Sequence, residues 1–211
     1  MNPKGKGAAA AEALAPRFKL DRTKVVPALV GRAEDFWIVS GLAGAFWEMA
    51  AMTNNGANYY GLGGAMGAAC MMGLGLALTR PEKKILVVTG DGELLMSLGS
   101  LATIGTINPP NLSILCVDNG HYGETGYQRS HTSLGVDIEK FAQGAGIKMT
   151  CTVASEADIP NGARMLREGN ATAFVLASVH PADGLKVKAS LDGAACRLRF
   201  RDAMLAASKP Q

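Results

Sequence analysis

Two stretches of the chain are apolar without alternation, Lys84-Ile85-Leu86-Val87-Val88-Thr89 and residues 112–117. A strand with one wet face alternates apolar and polar side chains. An unbroken β-branched run needs cover on both faces, as a central strand of a parallel sheet has. The first run ends in Gly90-Asp91-Gly92 and the second in Asp118-Asn119-Gly120. Between them lies a helical pattern, about 93–107, stopped by Asn108-Pro109-Pro110-Asn111. The same alternation continues on either side. Strands are predicted at 36–39, 148–153 and 173–179, and helices at 23–32, 45–53, 65–78, 138–144, 159–167 and 194–207. The expected fold class is α/β: a doubly wound, mostly parallel sheet flanked by helices.

A length of 211 residues fits one such domain, expected over 23–211 behind a flexible tail at 1–22, and leaves no room for a second. The stretch 61–78 carries no charge and is long enough to raise the question of a membrane span. It is rich in Gly and poor in Ile, Val and Phe, so it reads as a loop running into a buried helix, and no membrane association is expected. The net charge of +3 comes from scattered bases with no stripe interleaved with aromatics, which argues against nucleic acid. Cys70, Cys116, Cys151 and Cys196 lie far apart and form no C-x-x-C pair. They read as reduced thiols of a cytoplasmic protein.

In an open parallel sheet, ligands bind outside the carboxyl ends of the strands. Both glycine-flanked loops leave neighbouring strands at that edge. Mg²⁺ takes oxygen donors in near-octahedral geometry. Asp91 offers a carboxylate, Asn119 an amide oxygen and His121 a backbone carbonyl, which makes these three the expected metal ligands. Gly90 and Gly92 let the backbone approach a phosphate, and a helix starting near Glu93 points its N-terminus at the anion.

GDG followed after a little under thirty residues by Asn resembles the signature of the thiamine-diphosphate enzymes. The segments GDGELLMSLGSLATIGTINPPNL and DNGHYGETGYQRSH are most similar to the sulfopyruvate and phosphonopyruvate decarboxylase group. The likeness covers about 36–179 and implies the diphosphate-binding domain of that family, with thiamine diphosphate and Mg²⁺ as cofactors. By resemblance, GLGGAMG at 61–67 runs under the cofactor rings. There Met66 holds the bent shape, and backbone groups of Gly64 and Met66 grip the pyrimidine. The turn Ser40-Gly41-Leu42 matches the segment that caps the diphosphate. Tyr122 and Gly123 join the cofactor-binding set beside His121. Glu93 departs from the group, which often has Ser there, and a carboxylate beside a diphosphate has to point away or bond elsewhere.

The resemblance implies decarboxylation of a small 2-oxo acid. Loop 121–131 then faces the reacting carbon, and Gln128, Arg129 and His131 hold an anionic substrate tail; Arg suits such oxyanions through its planar fork of donors. The family's pyrimidine domain, with the Glu that protonates the cofactor ring, has no place in this sequence. A separate α-type subunit is therefore expected, in an α2β2 or larger assembly. Two other readings stay open: a carboligase of the acetolactate-synthase type, and a non-catalytic regulatory subunit that has kept the fold. Intact Asp91 and Asn119 speak against the second.

Overall fold

The computed structural model describes residues 18–182, 184–185 and 187–207. Six parallel strands form one sheet: β1 (Trp37–Ser40), β2 (Tyr59–Gly61), β3 (Ile85–Gly90), β4 (Leu112–Asp118), β7 (Met149–Val153) and β8 (Ala173–Ser178). Their order is β2-β1-β3-β4-β8-β7. A short antiparallel hairpin, β5 (His121–Tyr122) and β6 (Gln128–Arg129), stands apart.

The continuous apolar runs are explained by layers on both faces. Residues alternate along each strand, so one set meets one layer and the next set the other. On one face Leu86, Val88, Leu115 and Val175 pack against α1 (Arg22–Val30), α2 (Gly44–Met52) and α7 (Ile159–Glu168). On the other, Ile85, Val87, Ile114 and Phe174 pack against α3 (Ala69–Thr79), α5 (Gly99–Ile107) and α6 (Ile138–Gly144). This is the doubly wound α/β fold expected from the sequence. After β2 the chain crosses to the far side of β1, so the order reverses between β1 and β3, where a crevice opens at the strand ends.

Four details differ from the sequence reading. The tail boundary at 22 falls inside packed structure: Leu20 bridges Val179, and the His180 amide donates to the Leu20 carbonyl at 2.8 Å. The rest of the expected tail, 1–17, lies outside the described residues. The helix expected from 65 begins at Ala69, because residues 62–68 are drawn into the loop after β2. The helix expected over 93–107 is two helices, α4 (Asp91–Leu95) and α5, separated by a turn at 96–98 closed by i to i+3 bonds such as Ser97 N to Leu94 O, 2.9 Å. At five residues, α4 is too short to present the extended dipole that the sequence reading gave it. Among the described residues no helix is long and apolar enough to cross a membrane. The uncharged 61–78 stretch is the last residue of β2, a loop and the 11-residue α3.

Candidate active site

The register of β3 on β4 pairs Thr89 with Cys116 and Gly90 with Val117, so the next residues along, Asp91 and Asp118, stand side by side at the carboxyl edge of the sheet. The Asn119 amide donates to Asp91 Oδ1 at 3.4 Å. Asp91 and Asn119 both line a cleft of about 620 Å³ at the carboxyl edge of the sheet.

Asp91 is almost wholly buried, and burial pushes its carboxyl above the usual carboxylate range. Hydrogen bonds from Ser130, Thr132 and the Asn119 amide work against that shift. The Ser130 hydroxyl donates to Oδ2, and the Thr132 hydroxyl lies 3.2 Å from the same oxygen. No cation among the described residues pairs with Asp91. Asn119 Oδ1 accepts from the His121 amide at 2.9 Å, and the His121 ring Nδ1 lies 2.9 Å from the Asn119 carbonyl. A buried carboxylate with no cation beside an amide oxygen is a donor set suited to a hard divalent ion. Among the described residues no cluster of three His, Cys, Asp or Glu side chains forms, so further donors would come from backbone, ligand and water.

Of the residues singled out in the sequence, Leu42, Met66, Gly90, Asp91, Gly92, Glu93, Asn119, His121, Tyr122, Gly123 and Gln128 all line the cleft. Gly92 has Tyr122 against it, where an added Cβ would lie 2.5 Å from Cε1. Ser40, Gly41, Gly64, Arg129 and His131 are not in the cleft wall among the described residues. The Ser40 hydroxyl is taken by Tyr59, at 2.9 Å. Arg129 folds back on its own loop, with Nε donating to Ser133 Oγ at 3.0 Å and its terminal nitrogen to the Ser133 carbonyl. His131 is exposed at the start of the turn His131–Leu134.

Glu93 turns inward. Its carboxylate is buried, points at Gly41, and completes no hydrogen bond with either oxygen. Burial raises its pKa, and the Thr89 hydroxyl and the backbone at Leu42, Gly90 and Gly67 offset this only in part. The sequence reading missed Arg22, whose guanidinium lines the cleft, and the buried pair Ser130 and Thr132. The latter had a readable signal. Ser130 and Thr132 are the uncharged hydroxyl residues that interleave with the exposed Arg129 and His131, where the chain leaves β6 for the turn His131–Leu134.

Residues 41–177 match the family model for the C-terminal TPP binding domain of thiamine pyrophosphate enzymes, and the chain belongs to that family. It is 40% identical over 138 residues to the sulfopyruvate decarboxylase subunit beta of Methanocaldococcus jannaschii, covering 65% of this chain and 71% of that subunit. It is also 39% identical over 124 residues to the phosphonopyruvate decarboxylase of Streptomyces viridochromogenes, covering 58% of this chain and 31% of that protein. A solved structure assigned as a thiamin diphosphate-dependent enzyme from Mycobacterium smegmatis superposes with a TM-score of 0.64 at 19% identity, over 79% of this chain and 32% of that one. That likeness shows the fold.

Proposed function

We propose that the chain is the diphosphate-binding, β-type subunit of a two-chain, thiamine-diphosphate-dependent 2-oxo acid decarboxylase acting on a sulfopyruvate- or phosphonopyruvate-like substrate. The observation that carries the reading is the meeting of Asp91 and Asn119 in one cleft at adjacent strand ends. Similarity to sulfopyruvate decarboxylase β subunits supplies the substrate class.

Asp91 and Asn119 would hold Mg²⁺ through their side-chain oxygens, with the His121 carbonyl as a third protein donor. Gly90 leaves the backbone open to the diphosphate, and the Tyr122 ring takes the space beside Gly92. Met66, 41% exposed on the cleft wall, would support the cofactor rings. When bound, thiamine diphosphate supplies the carbon nucleophile and electron sink that CO₂ loss from a 2-oxo acid requires. Tyr122 and Gln128 wall the substrate side on the β5/β6 hairpin, with Gln128 fixed by Thr125 through two 2.7 Å bonds. Arg129 and His131 stay assigned to the anionic substrate tail only if the partner subunit builds out the cleft toward them.

A partner is expected on the α3/α5 side. Neither helix carries a charged residue, and Met71, Leu78 and Ile107 are exposed there. The cleft-lining Met66 and Met96 extend that apolar surface to the site. An α-type subunit covering it would complete the pyrimidine side, in an α2β2 or larger assembly. Four free cysteines among the described residues accord with a reducing cytoplasm.

The test is co-expression with the α-type chain and assay of CO₂ release from sulfopyruvate, phosphonopyruvate and pyruvate, alongside calorimetry with Mg²⁺ and thiamine diphosphate. Aldehyde product and heat of binding that both vanish in Asp91→Asn and Asn119→Ala are expected. Acetolactate from pyruvate would instead make the enzyme a carboligase. Binding unaffected by either substitution would end the reading.

A further inference from the structure

The proposed metal site depends on Asp91, and two hydroxyl side chains govern how that carboxylate is held. Ser130 Oγ donates to Asp91 Oδ2. Thr132 Oγ1 lies 3.2 Å from that same oxygen, 2.7 Å from Asp118 Oδ1 and 2.9 Å from Ser130 Oγ. Ser130, Thr132 and Asp118 are all 0% exposed. Two hydroxyls bring only two protons to this group of contacts. The Ser130 proton goes to Asp91. The single Thr132 proton is shared between two acceptors, the nearer Asp118 Oδ1 at 2.7 Å and Asp91 Oδ2 at 3.2 Å, so the hydroxyl bridges both carboxylates.

The same residues close the loop that walls the cleft. The Ser130 amide donates to the Gly120 carbonyl at 2.8 Å, so residues 120 and 130 meet beneath the β5/β6 hairpin. Ser133 Oγ donates to the Ser130 carbonyl at 3.0 Å and extends the clasp. The hairpin that carries Tyr122 and Gln128 is thus tied down at the point where the metal ligand is gripped.

We propose that Thr132, assisted by Ser130, is the positioning residue of the metal site: it bridges Asp91 and Asp118 and couples ion binding to closure of the 119–133 loop. The inference rests on the reading of the cleft as a metal–diphosphate site. Coupling is reciprocal, so an ion that tightens the loop is itself bound more tightly by a closed loop. Partners that orient a metal ligand are worth roughly 10- to 100-fold in metal affinity.

The experiment uses the assembled complex with thiamine diphosphate, in wild type, Thr132→Val, Thr132→Ser and Asp91→Asn. Free Mn²⁺ is followed by electron paramagnetic resonance during titration, and chymotryptic cutting after Tyr122 or Tyr127 is timed with and without the ion. Thr132→Val is expected to weaken Mn²⁺ binding by roughly 10- to 100-fold, and its loop is cut faster even when Mn²⁺ is present. Thr132→Ser keeps the hydroxyl and stays near wild type. Equal losses in Val and Ser variants would assign the effect to packing and overturn the proposal. Unchanged Mn²⁺ affinity in Thr132→Val would do the same. If Thr132→Val does not assemble, Ser130→Ala removes the donor to Asp91 and carries the test, with weakened Mn²⁺ expected and unchanged affinity overturning. Asp91→Asn separates the two levels. Full Mn²⁺ retention there sinks the metal site itself, whereas loss there with none in Thr132→Val sinks only the coupling.

Discussion

The carboxylate of Glu93 fills the space that a β-carbon on Gly41 would occupy: such a carbon would stand 1.5 Å from Oε2 and 2.1 Å from Cδ. Gly41→Ala therefore has to move Glu93. Its carboxylate ends a flexible side chain beside the cleft, so it moves into the cleft, where the diphosphate is proposed to sit. Stability should fall by less than the roughly 1–3 kcal/mol of a rigid overpacked core, while Mg-diphosphate affinity falls roughly tenfold, about 1.4 kcal/mol. Calorimetry and thermal melts separate the two. Gly41→Ala with Glu93→Ser should restore binding. A stability loss with unchanged affinity would show that Glu93 moves elsewhere.

Glu93 also sets a pH dependence. Burial raises its folded-state pKa above the ordinary 4.5. The folded chain then holds that proton more firmly than the unfolded chain. The stabilising contribution is complete below the ordinary value and is lost as pH rises through the raised one. Above the raised pKa the ionised carboxylate is a net cost, which the Thr89 hydroxyl and nearby backbone offset only in part. Glu93→Gln should raise the stability of the metal-free chain there, by about 1–2 kcal/mol. It should also flatten the stability gained on acidifying toward the ordinary carboxylate range. Asp91 shifts in the same direction through burial, so some slope remains. Identical slopes in wild type and variant would mean that the carboxylate finds a partner in solution.

The central strands and their terminal loops were legible because β3 and β4 have no polar face to hide, and the register of those two strands then puts Asp91 beside Asn119. Strand β2 was not legible. Its three residues hold their place through pairing with β1 and through the Tyr59 hydroxyl, which donates to the Phe46 carbonyl at 2.8 Å and adjoins Ser40, none of which leaves a periodic trace. The break at 96–98 was hidden for a similar reason: Met, Ser and Leu carry no stop signal. In loop 121–133 attention went to the charged residues, whereas the fold buries the uncharged hydroxyls between them. The chemistry there is decided by which side of the loop and its closing turn faces inward, and charge does not report that.

The glycine-rich helix α3 gives a paired test of tight packing. An added Cβ at Gly73 would lie 2.2 Å from Val87 Cγ2, in the middle of a fully buried strand. Gly75, one residue beyond Leu74 and exposed, has nothing within 4 Å. Gly73→Ala should cost roughly 1–3 kcal/mol through overpacking. Gly75→Ala should stabilise the chain by about 0.5–1 kcal/mol, because Gly in a helix interior carries the larger entropy loss on folding. Urea midpoints of the two variants should move in opposite directions. Movement in the same direction would mean that α3 does not lie against β3 as closely as described.

Arg22 and Glu48 form a buried bidentate pair, Nε to Oε1 at 2.6 Å and the terminal nitrogen to Oε2 at 3.1 Å. Burial raises the pKa of Glu48 and the Arg22 guanidinium opposes the shift. Removing either partner leaves an uncompensated buried charge, which costs about 3–5 kcal/mol, whereas replacing both with apolar residues of similar volume is often near neutral. Arg22→Met and Glu48→Gln should each melt far below wild type, and Arg22→Met with Glu48→Leu should recover most of the loss. Arg22 is also the only Lys or Arg among the described residues that line the cleft, where Asp91, Glu93 and Glu124 are the acids. The double variant should therefore regain its melting temperature and yet bind Mg-diphosphate several-fold more weakly. A double variant that recovers both would make the pair purely a matter of folding, and an Arg22→Met as stable as wild type would mean that Glu48 is not charged in its buried site.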